Sequence, residues 1–277
     1  MLASGLITLR EGLEAALIVG IVLSVLRRLG HADQARVVWA GVATAVGASV
    51  AAGLAIHRLG VAFEGRGEEI FEGATMLLAA VVLTWMIFWM QRQGRQIQTG
   101  LEQDVRRATA AGGRGALFAL AFIAVVREGI ETVLFLTAAA FTATPLQTLL
   151  GGALGLAVAV GLGWLAFATG RRLNVRLFFR VTGFLLLLFA AGLVARGVHE
   201  LQEAALLPTL IEHVWDLNPV LDEGGAIGNL LKALFGYNGN PSLLEVLAYG
   251  VYFLVVGAVG FRLGRAEALT VGKEVQA

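Results

Sequence analysis

Residues Arg10-Glu11-Gly12-Leu13-Glu14 put three formal charges inside an apolar run that begins at Leu2. A second copy, Arg127-Glu128-Gly129-Ile130-Glu131, interrupts another apolar run 117 residues later, and the two share the pattern R-E-G-[Leu/Ile]-E-x-x-L. On a helix, positions three and four apart lie on one face. Glu11 with Glu14, and Glu128 with Glu131, therefore form carboxylate pairs, each with an arginine (Arg10 or Arg127) beside it. Gly12 and Gly129 carry no side chain and permit close helix–helix approach. If the two helices face one another, four carboxylates meet, and two arginines leave a formal charge of −2. All-carboxylate ligation suits hard cations such as ferric iron, Mg²⁺, Ca²⁺ and Mn²⁺. Protonated glutamates would also make this a proton-coupled site.

A purely structural ion network is the competing reading. Six isolated central charges in a membrane span would cost roughly 15–20 kcal/mol. Pairing reduces that sum, but two arginines cannot neutralise four glutamates. Small residues join helices far more cheaply, so a cation or proton pathway is the favoured reading. The chain has no cysteine, which removes thiolate ligation, iron–sulfur clusters and disulfides within it. Two enzyme patterns fail. His199-Glu200-Leu201-Gln202-Glu203 begins like a zinc-protease H-E-x-x-H helix, but position 203 is glutamate. A di-iron carboxylate oxidase brings Glu-x-x-His pairs, and no histidine here has a glutamate three residues before it. A transporter, not an enzyme, is expected, with no organic cofactor.

The elements that must hold these motifs are membrane helices. Hydrophobic residues make up 57% of the chain and charged residues only 15%, a poor fit to a soluble domain. Runs near the length of a bilayer span recur at about 2–26, 37–57, 70–90, 115–140, 147–169, 178–198 and 243–262. Their length and the lack of period-two alternation predict an all-α polytopic membrane protein with seven transmembrane helices, not a barrel. Of the 21 Lys and Arg residues, fifteen fall on one side of these spans and four on the other, with Arg10 and Arg127 inside them. The positive-inside rule then gives N-terminus outside and C-terminus inside. Trp85 and Trp89 fall at the inner end of the third span and fit an interfacial belt.

The first motif lies in span 1 and the second in span 4, which run in opposite directions. Two inverted three-helix repeats plus a seventh helix are therefore expected, a plan common in transporters whose ion site is near the midplane. The boundaries within the single 1–277 domain are repeat one 1–91, a cytoplasmic linker 92–114, and repeat two 115–203. An outer loop with interfacial helices 204–241, a seventh helix 242–264 and a short cytoplasmic tail 265–277 follow. The apolar spacing of Leu207, Leu210, Ile211, Val214 and Trp215 suggests one such interfacial helix. The outer segments are acidic, and Glu68, Glu69, Glu72, His199, Glu200 and Glu203 flank the outer ends of spans 3 and 6. They are candidates for cation collection, Glu72 first because it lies deepest.

The doubled R-E-G-[Leu/Ile]-E motif resembles the oxidase-dependent iron permease family, which includes the fungal high-affinity iron permeases and the bacterial EfeU-type ferrous iron permeases. The likeness is nearest to the EfeU-type branch. EEIFEG at 68–73, LTWMIFWM at 83–90, RLNVRLFF at 172–179 and FGYNGNPSLLEV at 235–246 extend it along nearly the whole chain. The resemblance implies iron import coupled to iron oxidation, with Glu11, Glu14, Glu128 and Glu131 as ligands beside Arg10 and Arg127. It implies a bacterial cytoplasmic (inner) membrane and two periplasmic partners, an EfeO-type iron-binding protein and an EfeB-type haem peroxidase. No nucleic-acid partner is expected. The alternatives are a transporter of another hard or divalent metal, such as manganese or lead, a membrane subunit that oxidises iron without passing it, and a structural partner for periplasmic proteins.

Overall fold

The computed structural model describes all residues except 94–95, 111–112, 170–173 and 275–277. Arg95, Arg171 and Arg172 of the charge count, and the end of the tail, lie outside the described residues. Among those described, the chain is helical: α1 (Leu2–Arg28), a 3-10 turn (Ala32–Gln34), α2 (Ala35–Ala62), α3 (Arg66–Gln93), α4 (Gln96–Ala110), α5 (Arg114–Ala140), α6 (Pro145–Thr169), α7 (Val175–Glu203), α8 (Ala226–Phe235) and α9 (Leu243–Glu274). In hydrocarbon every backbone N–H and C=O must find a partner within the protein, which long helices achieve internally.

Among the described residues, five helical segments are long and apolar enough to cross a membrane: Ala32–Ala62, Arg66–Gln91, Pro145–Leu165, Leu177–Glu203 and Leu243–Arg262. α1 and α5 are equally long, at 27 residues each, or about 40 Å. They fall short on composition because their central stretches hold the motif charges. Packing hides those charges: Arg10, Glu11, Glu128 and Glu131 are all buried.

α1 packs mainly on α6, α2 on α5 and α3 on α7, while α1 also crosses α5. This pairing is unchanged when α1, α2 and α3 are exchanged with α5, α6 and α7. The glycines set these contacts. A Cβ on Gly12 would come within 2.9 Å of the Ala159 Cβ on α6, and one on Gly129 would collide with Ser49 on α2. The motif glycines thus face α6 and α2. Gly73 and Gly197 face each other across α3 and α7.

Three apolar layers fill the space between the motif helices. Ile7, one turn before Glu11, shares a cluster with Phe135, one turn after Glu131. On the far side of the motifs, Val19 meets Val125 and Ala45, and beyond them Val22 and Leu26 meet Leu117 and Ala121. Residues before the first motif therefore pack with residues after the second, so α1 and α5 run antiparallel.

Three expectations change. Residues 207–215 are not helical. Pro208 lacks an N–H, and the amides of Val214, Leu217 and Leu243 pair with the carbonyls of Pro241, Gly239 and Ile211, strapping two extended segments together. The helix of the 204–241 region is α8, which ends at the left-handed Gly236 (φ 65°). Gly236 lies against Gly192 of α7, where a side chain on either would meet backbone. The seventh helix does not stop at 264, and α9 runs on to Glu274 through most of the expected tail. The linker 92–114 contains α4, whose Val105 and Leu101 pack into the layer at the end of α1.

Candidate metal centre

α1 and α5 cross at their motifs. Glu11, Glu128 and Glu131 each bring one carboxylate oxygen to a group in which all three lie within 4.8 Å of one another. All three residues are buried. Both oxygens of Glu11, Oε2 of Glu128 and Oε2 of Glu131 are buried without a hydrogen-bond partner. A buried ionised oxygen left without a donor is costly, and a cation would relieve several at once. Opposed oxygens around a Ca²⁺-sized ion stand about 4.6–5.2 Å apart, and around a smaller octahedral ion about 4.0–4.2 Å. Three oxygens within 4.8 Å of one another are close enough for one ion of either size to reach all of them.

Glu14 is outside this trio. Its Oε1 lies 3.2 Å from Arg10 Nε in an i,i+4 pair. Arg127 Nε donates to Glu131 Oε1 at 2.9 Å, the matching pair in the second motif. The two arginines differ in setting. Arg10 has a side chain only 2% exposed, lies 3.7 Å from Glu11 and donates from Nη2 to Met90 Sδ at 3.0 Å. The side chain of Arg127 is 41% exposed, and its guanidinium lies over the ring of Trp89, 4.7 Å from the centroid.

The residues expected at the outer entry share one end of α3 and α7 but do not form a comparable trio among the described residues. Glu200 is buried, with Oε1 accepting from Arg196 Nε at 3.1 Å. His199 Nε2 lies 3.3 Å from Glu203. Glu72 is half-buried, Glu69 likewise, and Glu68 is exposed.

Glu245 is the residue that sequence reasoning missed. It is 3% exposed and accepts from His199 Nδ1 (3.0 Å), Asn238 Nδ2 (2.8 Å) and the Ser242 amide (3.1 Å). The Glu245 amide donates to Ser242 Oγ at 3.3 Å, which completes a capping box at the start of α9. The signal was present as Ser242-Leu243-Leu244-Glu245 before an apolar run.

Compared with known proteins, the chain matches the Iron permease FTR1 family over residues 1–268. It is similar to the ferrous iron permease EfeU of Escherichia coli O6:K15:H31 (strain 536 / UPEC), 39% identical over 272 residues covering 98% of each chain. The protein of that name from Escherichia coli O157:H7 is 40% identical over 260 residues, 93% of this chain and 94% of its own. The one from Yersinia pestis is 36% identical over 251 residues, 90% and 89%. No solved structure matches.

Proposed function

The chain belongs to the iron permease FTR1 family, and on that footing we propose that it carries iron inward across a bacterial cytoplasmic membrane through ligands supplied by its two motifs. One observation carries this reading: three buried carboxylates from two antiparallel helices converge with four oxygens unpartnered. Glu11, Glu128 and Glu131 are the ligands, and Glu14 is held in reserve by Arg10. With both arginines in place the four glutamates have a formal charge of −2, which ferrous iron brings to 0 and ferric iron to +1. Either ion exchanges its water for charged oxygens that no protein donor occupies.

We read α1 and α5 as spans beside the five apolar segments, giving seven, with the N-terminus outside and the C-terminus inside. The exchange-symmetric packing and the antiparallel course of α1 and α5 support two inverted repeats of three helices. Iron collects at the acidic outer end of α3 and α7, where Glu68, Glu69, Glu72, His199, Glu200 and Glu203 gather. Its oxidation falls to a separate periplasmic partner of the haem-peroxidase type, with an iron-binding protein delivering it. The all-oxygen donor set of the trio supports a ligand role over a redox one.

The test is uptake of radioactive iron into sealed proteoliposomes, starting from ferrous iron with a controlled oxidant. Wild type should accumulate iron, and Glu11→Gln and Glu131→Gln should not, while both remain folded. Uptake that survives both substitutions removes the ligand role. A folded wild type that accumulates no iron, with the two periplasmic proteins supplied, removes the transport reading.

A further inference from the structure

We propose that Trp89 and Met90, adjacent near the end of α3, are positioning residues of the carboxylate trio, acting through the two motif arginines. This rests on the ligand reading given above. α3 carries neither motif, yet it touches both arginines through consecutive side chains. The Trp89 ring lies under the Arg127 guanidinium, 4.7 Å from its centroid. Met90 Sδ accepts from Arg10 Nη2 at 3.0 Å.

Each contact leads on to a ligand helix. Arg127 Nε holds Glu131 Oε1 at 2.9 Å, which leaves Oε2, buried and without a hydrogen-bond partner, for the trio. The side chain of Arg127 is 41% exposed. Burial does not fix it, so the ring beneath it and one carboxylate must. A cation over an aromatic face is held by the ring quadrupole, and the indole face is the strongest. Arg10 is in the opposite condition. It is enclosed: its Nε and Nη1 are ion-paired to Glu14 at 3.2 Å and Glu11 at 3.7 Å without a hydrogen bond, and the Met90 thioether accepts the hydrogen bond from Nη2 that fixes the guanidinium between them. One turn of α3 thus sets the direction of both arginines, and through them the carboxylates that must converge. Partners one step removed from a metal ligand commonly set its geometry.

The experiment uses the full-length protein and iron itself. Equilibrium iron binding in detergent and the KM and maximal rate of uptake in proteoliposomes are measured for Trp89→Phe, Trp89→Leu and Met90→Leu. Trp89→Leu is also paired with Arg127→Gln. Trp89→Leu should weaken binding and raise KM about 2- to 5-fold, with Trp89→Phe closer to wild type. Met90→Leu should weaken binding about 2- to 10-fold, the worth of one ordinary hydrogen bond, because a thioether is a weak acceptor even for a charged donor. In the Arg127→Gln background, Trp89→Leu should add nothing. If Arg127→Gln alone abolishes binding, the order Trp, Phe, Leu decides. Phe falling as far as Leu, or an undiminished Trp89→Leu effect beside Arg127→Gln, overturns the inference. A flat Trp89 series with Glu131→Gln still inactive sinks this inference alone. Glu131→Gln binding iron as wild type does sinks the ligand reading, and this inference with it.

Discussion

Replacing Glu11 by glutamine should make the metal-free protein more stable while removing its response to metal. Glu11 is 1% exposed, and its carboxylate shares a 4.8 Å group with those of Glu128 and Glu131. With all three ionised, each like-charge pair at that limit costs about 3.5 kcal/mol at an effective dielectric constant near 20, or about 7 kcal/mol for two. Against this stands Arg10, 3.7 Å away, worth about 4.5 kcal/mol on the same scale. Glu11→Gln removes all of these terms and leaves a gain of about 2 kcal/mol. In a chain of this size that raises the melting midpoint by about 3–4 °C. Thermal unfolding in detergent, at low salt and after chelation, reads this directly. Adding iron reverses the order. At a concentration 100 times its dissociation constant, a ligand adds about 2.7 kcal/mol to the protein that binds it. Wild type should gain that and the variant should not, so the two melting curves exchange places. A variant that melts no higher than wild type in chelator refutes the electrostatic reasoning. One that is still stabilised by iron refutes the ligand role of Glu11.

Gly129→Ala should cost about 1–3 kcal/mol of stability through overpacking, because its methyl would run into Ser49. Ser49→Gly should restore the melting midpoint of that variant, whereas Gly47→Ala, which meets nothing within 4 Å, should be neutral or stabilising. Glu245→Ala should lose about 1–2 kcal/mol with its capping box and expose the 204–242 strap to limited proteolysis. The absence of cysteine makes topology directly testable. Single cysteines at His31 and Glu64 should differ, with a membrane-impermeant thiol reagent labelling position 64 in intact cells and position 31 only after permeabilisation. Labelling of position 31 from outside would reverse the proposed orientation.

Much of this arrangement was legible because charge in an apolar run is hard to place. Glu11, Glu128 and Glu131 stand out in the sequence for the same reason that they are buried together in the fold: hydrocarbon gives an ionised group no other shelter. Helical spacing alone did not separate Glu14 from the rest, since it shares a face with Glu11. Its separation follows from the Arg10 side chain, which claims it. Residues 207–215 misled because their apolar positions fit a helical period while the backbone amides of 214 and 217 had partners elsewhere in the chain. Periodicity reports which side chains are apolar, not where the amides go. Glu245 was overlooked for the opposite reason. Its capping role was legible in Ser242-x-x-Glu245, but its link to His199, 46 residues away, is one that no local pattern carries. Trp89 reads as a belt residue by its position, and only the fold brings Arg127 above it.

The trio is enclosed on both sides, and this bears on how an ion could pass. Ile7 and Phe135, both fully buried, close the side on which α1 begins. Val19, Ala45 and Val125 close the other. An ion seated at the carboxylates in this arrangement has apolar side chains one to two turns away in each direction, so passage requires the layers to part. Each layer is shared between α1 and α5, and each of those helices is packed closely along a different neighbour, α6 and α2 respectively. Parting a layer therefore moves α1 with α6 against α5 with α2, two units with matching helix pairings. The close glycine contacts lie within these units, at Gly12 against α6 and Gly129 against α2, and so can persist while the units rock. The carboxylates sit at the crossing itself, where such a motion displaces side chains least, and α3 spans the crossing through Trp89 and Met90. Phe135→Ala should thus open one layer without moving a ligand, and its measurable result is a raised uptake rate at unchanged iron affinity. A fall in affinity equal to that of Glu131→Gln would instead make Phe135 part of the site's support rather than its cover.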